Sequence, residues 1–146
     1  MAIRLVHLKR ANKLFTQFTD KEWELIHPEH YGYPMDWAYW QPKRIRLEAK
    51  EGKEIVGAIN GHLLAGVMEI FELIIHHQHQ GQGIGKMLLK EAENWGIQNG
   101  AHEVFLVTGS KWKAVDFYKK MGYQLVVELP NHYSKTDYVL FRKFLT

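Results

Sequence analysis

No cysteine occurs in the 146 residues, which excludes disulfides, thiol nucleophiles and cysteine-ligated metals. No apolar run reaches membrane length, and residues 1–13 alternate apolar with basic types instead of forming the continuous apolar stretch of a signal peptide. A cytoplasmic protein without membrane attachment is expected. Repeats, low-complexity tracts and linker-like segments are also missing, so the chain reads as one domain spanning 1–146. The net charge of +3 is too mild, and too evenly spread, to argue for nucleic acid as a partner, although it suits a polyphosphate ligand.

What is present is an ordered composition, 46% hydrophobic and 24% charged, with length enough to bury a core. Its most informative stretch is Gln80-Gly81-Gln82-Gly83-Ile84-Gly85-Lys86. Upstream, residues 70–75 are rich in the branched and aromatic types that favour strands. Downstream, Ile84, Leu88, Ala92 and Trp95 recur at helical spacing. A glycine turn between a strand and a helix lets the backbone approach a ligand, and the first helical turn presents unpaired N–H groups and the positive end of the dipole. Phosphate oxygens are favoured at such a place.

Spacing narrows the choice. A Walker loop requires Ser or Thr after Gly-Lys, but Met87 follows Lys86; a dinucleotide fingerprint begun at Gly81 needs glycine at 86. The pattern Gln80-x-x-Gly83-x-Gly85 resembles the pyrophosphate-binding signature of the GNAT N-acetyltransferase superfamily, whose members use acetyl-coenzyme A.

The wider order of elements agrees with that resemblance. A first strand is expected at residues 3–9, a helix at 12–30, and an irregular aromatic segment at 31–42. A hairpin follows, residues 44–49 and 55–65 about a turn at 51–53, then a strand at 69–76. After the central helix come a stop at Asn99-Gly100, a buried strand at 102–107, and a helix at 111–121 capped by Ser110 and ended by Gly122. Two closing strands, 123–129 and 137–144, flank a loop at Pro130, Asn131 and His132. The run from Ala114 through Phe117-Tyr118 to Gly122-Tyr123 looks like the family's characteristic helix, with its aromatic-Tyr pair followed by glycine and a second aromatic.

The resemblance implies an α/β fold: a twisted mixed sheet of six to seven strands, splayed between the fourth and fifth and flanked by helices. Acetyl-coenzyme A would enter that split as co-substrate, with no metal. The backbone of Leu73, Ile74 and Ile75 would lie along its pantetheine arm. The amides of Gln80, Gly81, Gln82, Gly83, Ile84 and Gly85, with Lys86, would wrap its pyrophosphate. Lys111 replaces an asparagine frequent in the family and is the remaining candidate for cofactor contact.

Acetyl transfer needs a neutral amine, a polarised thioester carbonyl and a proton for the leaving thiolate. Tyr118 stands at the family's usual general-acid position, and the backbone N–H near Ile75 would face the developing oxyanion. Glu69 and Glu72 are the candidate bases. The resemblance puts Glu69 first, at the position of the base glutamate in the family's histone-acetyltransferase branch and on a strand face with Phe71, Leu73 and Ile75 if no bulge intervenes, and Glu72 at an acidic position seen in many bacterial members. His76, His77 and His79 are rejected as a metal site, since adjacent strand residues point to opposite faces and no carboxylate or cysteine completes a shell.

The resemblance implies an acceptor site bordered by the segment after the first helix and by the late loop, so acceptor contacts are expected from Tyr31, Tyr33, Trp37 and Trp40, whose rings attract ammonium groups, and from His132. A small-molecule primary amine is the leading acceptor, attacked directly in a ternary complex. A protein lysine or N-terminus, and a non-catalytic coenzyme A sensor, are the alternatives. A homodimer is a family-level expectation.

Overall fold

The computed structural model describes residues 2–145 and divides into two compact units, one ending at Ala38 and the other beginning at Tyr39.

The first unit is built on α1 (Lys13–Tyr31). Asn12 starts it, accepting the Phe15 N–H on its side-chain oxygen at 2.9 Å, which satisfies one of the donors a helix leaves unpaired. Gly32 ends it in the left-handed region and donates its N–H to the Pro28 carbonyl. The aromatic segment after it folds back on the last turns. His27 stacks on Tyr31 with ring centroids 4.5 Å apart, and its Nδ1 lies 2.9 Å from the Tyr33 carbonyl oxygen. Trp37 donates its indole N–H to Glu24 at 2.9 Å. Residues 3–9, expected as a first strand, form none. Their alternation marks two faces but supplies no hydrogen-bonded neighbour, and without a ladder alternation is not a strand.

The second unit carries the sheet. Its strands are β1 (Lys43–Glu51), β2 (Glu54–Leu64), β3 (Val67–Ile75), β4 (Glu103–Gly109), β5 (Gln124–Leu129) and β6 (Tyr138–Phe144). They run in the order β1-β2-β3-β4-β6-β5. Among the described residues only β3 and β4 pair in parallel, joined through α2 (Ile84–Gln98); α3 (Ala114–Lys120) links β4 to β5. This is the mixed α/β sheet with flanking helices that the sequence implies.

One face of the sheet makes the core with α2 and α3. Ile45, Ile59, Leu63, Met68 and Ile70 meet Leu88, Leu89 and Ala92 of α2, and Val104, Val139 and Phe141 continue the layer to Tyr118. Fully burying each such aliphatic side chain contributes about 1.5–3 kcal/mol, so the apolar stripe of α2, more than its intrinsic propensity, holds it in place.

Two departures from regularity shape the sheet at its centre. The β3–β4 pairing lasts only from Val67↔Glu103 to Glu69↔Phe105, after which the strands separate. Just beyond, the β2–β3 register jumps from Gly61↔Ile70 to Asn60↔Glu72, so Phe71 is an extra residue in β3. Gly61 is where that bulge crowds the neighbouring strand. A side-chain carbon at this position would collide with the Glu69 carbonyl oxygen and the Ile70 backbone, neither of which can move aside as a flexible side chain would.

The helix expected at 111–121 from Ser110 begins later, at Ala114. Ser110 is not its cap: Lys113 is the residue before the helix, and the Ser110 N–H donates to the Asp137 carbonyl at 2.9 Å, continuing the β4–β6 ladder past Gly109. A turn with Trp112 N–H donating to Gly109 intervenes.

Candidate active site

The separation of β3 from β4 opens a groove of about 840 Å³ between α2 and α3. Its upper end is the glycine turn. Gly81 and Gly83 have φ of 78° and 84°, a region costing other residues about 1–2 kcal/mol. Gly83 is the residue before α2 and offers no side chain to cap it, so the first-turn amides face the groove instead of a protein acceptor. An anion is the natural partner for them. Gln80 donates its side-chain amide to the Ile75 carbonyl at 3.5 Å, tying the turn to the strand end.

Leu73, Ile74 and Ile75 form the strand wall, and Gln80, Gly81, Gly83, Ile84, Gly85 and Lys86 the upper end. Gln82 belongs to the same turn without lining the cavity. Tyr118, thirty-odd positions later, lines the same cavity from α3. The groove therefore brings together the two motifs that the sequence singled out separately.

Tyr118 is 6% exposed, packed edge-on to Phe117 and Tyr123 with centroids 5.1 and 5.5 Å away. Burial pushes its phenol up to about 12, which keeps the proton on the oxygen through neutral and mildly alkaline pH. A protonated phenol beside a cleft can donate. Tyr123 is pushed up further, by burial first and then by the charge and hydrogen bond of Glu93.

Positive charge surrounds the groove to an extent not anticipated from sequence. Lys86 and Lys90 come from α2, Lys113 and Lys120 from the two ends of α3, and Lys143, its charge paired with Glu93, from β6. Spacing on α2 relates the first two, i and i+4 on one face, but the others meet only through the topology. Lys111 lies apart, with Trp112, Thr136 and Asp137 around a separate small cavity; Lys113 holds the place on the groove that Lys111 was expected to take.

The bulge corrects the expected faces of β3. Met68 and Ile70 point to the core, and beyond Phe71 the same side is taken by Leu73 and Ile75, opposite Ile59 and Gly57. Glu69 therefore does not share a face with Leu73 and Ile75; it shares the opposite face with Glu72. Neither carboxylate projects freely. Glu72 accepts the Asn60 side-chain amide at 2.8 Å, and a Glu69 oxygen lies 3.7 Å from His62 Nε2.

The histidines after β3 also differ from expectation. The strand ends at Ile75, the chain turns, and His76 and His77 stack with centroids 4.5 Å apart instead of pointing to opposite faces. His76 accepts the Gln78 N–H, and His79 lies 3.4 Å from Glu51 while lining the groove. Among the described residues no group of three or more His, Asp or Glu is placed to hold a metal ion, and no helix is long and apolar enough to cross a membrane.

The expected acceptor residues fall in different places. Tyr31, Tyr33 and Trp37 belong to the first unit. In the second, Trp40 packs edge-on to Tyr39, and the His132 ring lies 4.3 Å from Tyr133 and 5.6 Å from Tyr138.

Known proteins with this arrangement point one way. Of curated relatives, N-acetyltransferase family 8 member 2 of Rattus norvegicus is 36% identical over 58 residues, 39% of this chain and 26% of that protein. YobR, an uncharacterised N-acetyltransferase of Bacillus subtilis (strain 168), is 25% identical over 107 residues, 71% of this chain and 42% of that protein. The chain thus spans less than half the length of these relatives.

Among solved structures, an acetyltransferase from Bacillus cereus ATCC 14579 superposes with a TM-score of 0.70 at 20% identity, covering 95% of this chain and 97% of its own. An aminoglycoside 6'-N-acetyltransferase complexed with coenzyme A gives 0.61 at 21% identity, covering 97% and 96%. The ribosomal-protein-S18-alanine N-acetyltransferase of Escherichia coli gives 0.66 at 13% identity, covering 93% and 91%. These likenesses establish the fold. The sequence model of the Acetyltransferase (GNAT) family matches residues 11–123, and the chain belongs to that family, whose acetyltransferases take acetyl-coenzyme A as co-substrate.

Proposed function

We propose that this chain transfers the acetyl group of acetyl-coenzyme A to the primary amine of a small molecule, by direct attack within a ternary complex. One observation carries the reading: a single groove joins the glycine turn, with its unsatisfied helix amides, to a buried and protonated Tyr118. The donor set fits the co-substrate. Backbone N–H groups and lysines suit a pyrophosphate, the parted edge of β3 suits the amide-bearing pantetheine arm, and the apolar side chains of Leu73, Ile75 and Phe117 suit its alkyl segments.

When bound, acetyl-coenzyme A supplies an activated acyl carbon on a thioester. The residues of this chain do the rest. Amides of Gly83, Ile84 and Gly85 would hold the diphosphate, the free edge of β3 would pair with the pantetheine amides, and Tyr118 would supply its phenolic proton to the leaving sulfur. Glu69 and Glu72 lie on the other face of β3, at the root of the split, where an amine entering from that side meets negative charge. Direct attack accords with the absence of cysteine, which removes the thiol on which an acetyl-enzyme is most readily built.

The preference for a small-molecule acceptor over a polypeptide rests on the sequence alone: Tyr31, Tyr33, Trp37, Tyr39 and Trp40 are ring types that attract small ammonium groups. The test is thiol release from acetyl-coenzyme A with tyramine, spermidine, free lysine, an N-terminal alanine peptide and an internal lysine peptide. Turnover with one of the small amines, at least tenfold above both peptides in kcat/KM, is expected. Faster turnover of either peptide would overturn the small-molecule reading; binding of coenzyme A with no turnover on any acceptor would replace the enzyme with a sensor.

A further inference from the structure

We infer that His62 is the group that takes the proton from the acceptor ammonium, with Glu69 as its positioning partner. The inference rests on the acetyl-transfer reading and assigns a role within that site to a residue outside both sequence motifs. His62 and Glu69 are register partners on β2 and β3, on the face away from α2 and α3. Glu69 is also the last residue of β3 still paired with β4, opposite Phe105. The pair therefore stands at the root of the split, immediately before the bulge that parts the strands.

Geometry makes histidine, not glutamate, the acceptor of the proton. A Glu69 oxygen lies 3.7 Å from His62 Nε2. That is too long for a hydrogen bond, yet close enough for the carboxylate to orient the ring with its Nε2–H toward Glu69. The lone pair is then left on Nδ1. Phe71, the bulge residue, packs edge-on against the imidazole at 4.9 Å and 70°, fixing the plane of the ring. Glu72 is a poorer candidate, since its oxygen already accepts the Asn60 amide. The other charges facing this spot are Arg44, register partner of His62 on β1, Arg46 opposite Asn60, and Arg142 of β6, which continues the row beyond Phe105.

The proton balance closes. The ammonium gives one proton to Nδ1 of His62 and becomes a neutral amine. Its lone pair forms the bond to the acyl carbon as the carbon–sulfur bond breaks, and the sulfur takes the Tyr118 proton. The nitrogen sheds a second proton on becoming an amide, which restores Tyr118 through solvent, and His62 releases its own to water.

Hydroxylamine supplies the decisive comparison, because at neutral pH it is already largely uncharged and needs no base. His62→Gln is expected to lower kcat/KM for the best small amine of the panel by about 100-fold, with hydroxylamine turnover changed less than about threefold. Glu69→Gln should show the same selectivity in weaker form. Coenzyme A affinity by calorimetry checks that the fold is kept, and His62→Asn replaces the glutamine variant if that one melts early. Equal losses on both nucleophiles, or no loss on the amine, would overturn the role of His62 while leaving acetyl transfer intact. Failure of the wild-type chain to acetylate any amine, with coenzyme A still bound, would overturn the underlying reading and this role together.

Discussion

Lys143 on β6 reaches both carboxylate oxygens of Glu93, fifty positions earlier on α2, at 3.1 and 3.0 Å. Tyr123 donates its hydroxyl to one of those oxygens at 3.0 Å. Glu93 is buried, so the cluster ties α2, the segment after α3 and β6 together by charge where the groove ends. Removing one member leaves the rest unpaired in a desolvated place.

Glu93→Ala should therefore cost about 3 kcal/mol, because it strands an ammonium and a buried phenol at once. Glu93→Gln, which keeps an acceptor for Tyr123, should cost less. Urea melts of the two variants, compared at equal m-value, check the order.

Tyr118→Phe should lower kcat by about 100-fold while leaving the acetyl-coenzyme A KM within about threefold, as loss of a proton donor and not of a binding contact. An equal fall in kcat and rise in KM would instead mark the ring as packing.

The same tyrosine gives an alkaline signature. Its folded value of about 12 lies above the 10.0 of an exposed phenol. The stability this represents is fully present below pH 10 and lost as pH rises through 12, a fall of about 3 kcal/mol. Tyr118→Phe should flatten that part of the decline in melting temperature between pH 10 and 12. Tyr123, also raised, keeps the remainder.

Gly83→Ala places a side chain in a backbone region that disfavours it by about 1–2 kcal/mol. Coenzyme A affinity should drop about tenfold by calorimetry, with kcat at saturating acetyl-coenzyme A little changed.

Charge reversal at Lys90 or Lys113, which flank the groove on opposite helices, should raise the acetyl-coenzyme A KM severalfold. The effect should shrink as salt is raised from 0.05 to about 0.5 M, where the Debye length falls well below 10 Å. Amine KM at saturating acetyl-coenzyme A should not follow the salt in the same way.

How much of this is legible in the sequence depends on how local each feature is. The glycine turn and the Tyr118 helix are contiguous motifs, and the groove does bring them together. The hairpin, the central helix and the two closing strands also follow from alternation, helical spacing and glycine stops. The bulge is different. It is a property of two strands at once, read only from the pairing of Asn60 and Gly61 with Glu72 and Ile70, and without it Glu69 is assigned to the wrong face. The Glu93–Tyr123–Lys143 cluster spans fifty positions and has no short-range signature. Residues 3–9 fail in the opposite sense: a clean alternating pattern with no ladder to join.

The extra residue at Phe71 has a mechanical consequence. Because it changes the parity of β3 once, at the root of the split, the spacing between Glu69 on one side and the Leu73–Ile75 wall on the other is set by covalent chain length, not by side-chain choice. Deleting a single residue there would turn Glu72 toward the groove side and the side chains of Leu73 and Ile75 away from it. Substitutions can retune either side; the offset between donor and acceptor sides changes only by insertion or deletion.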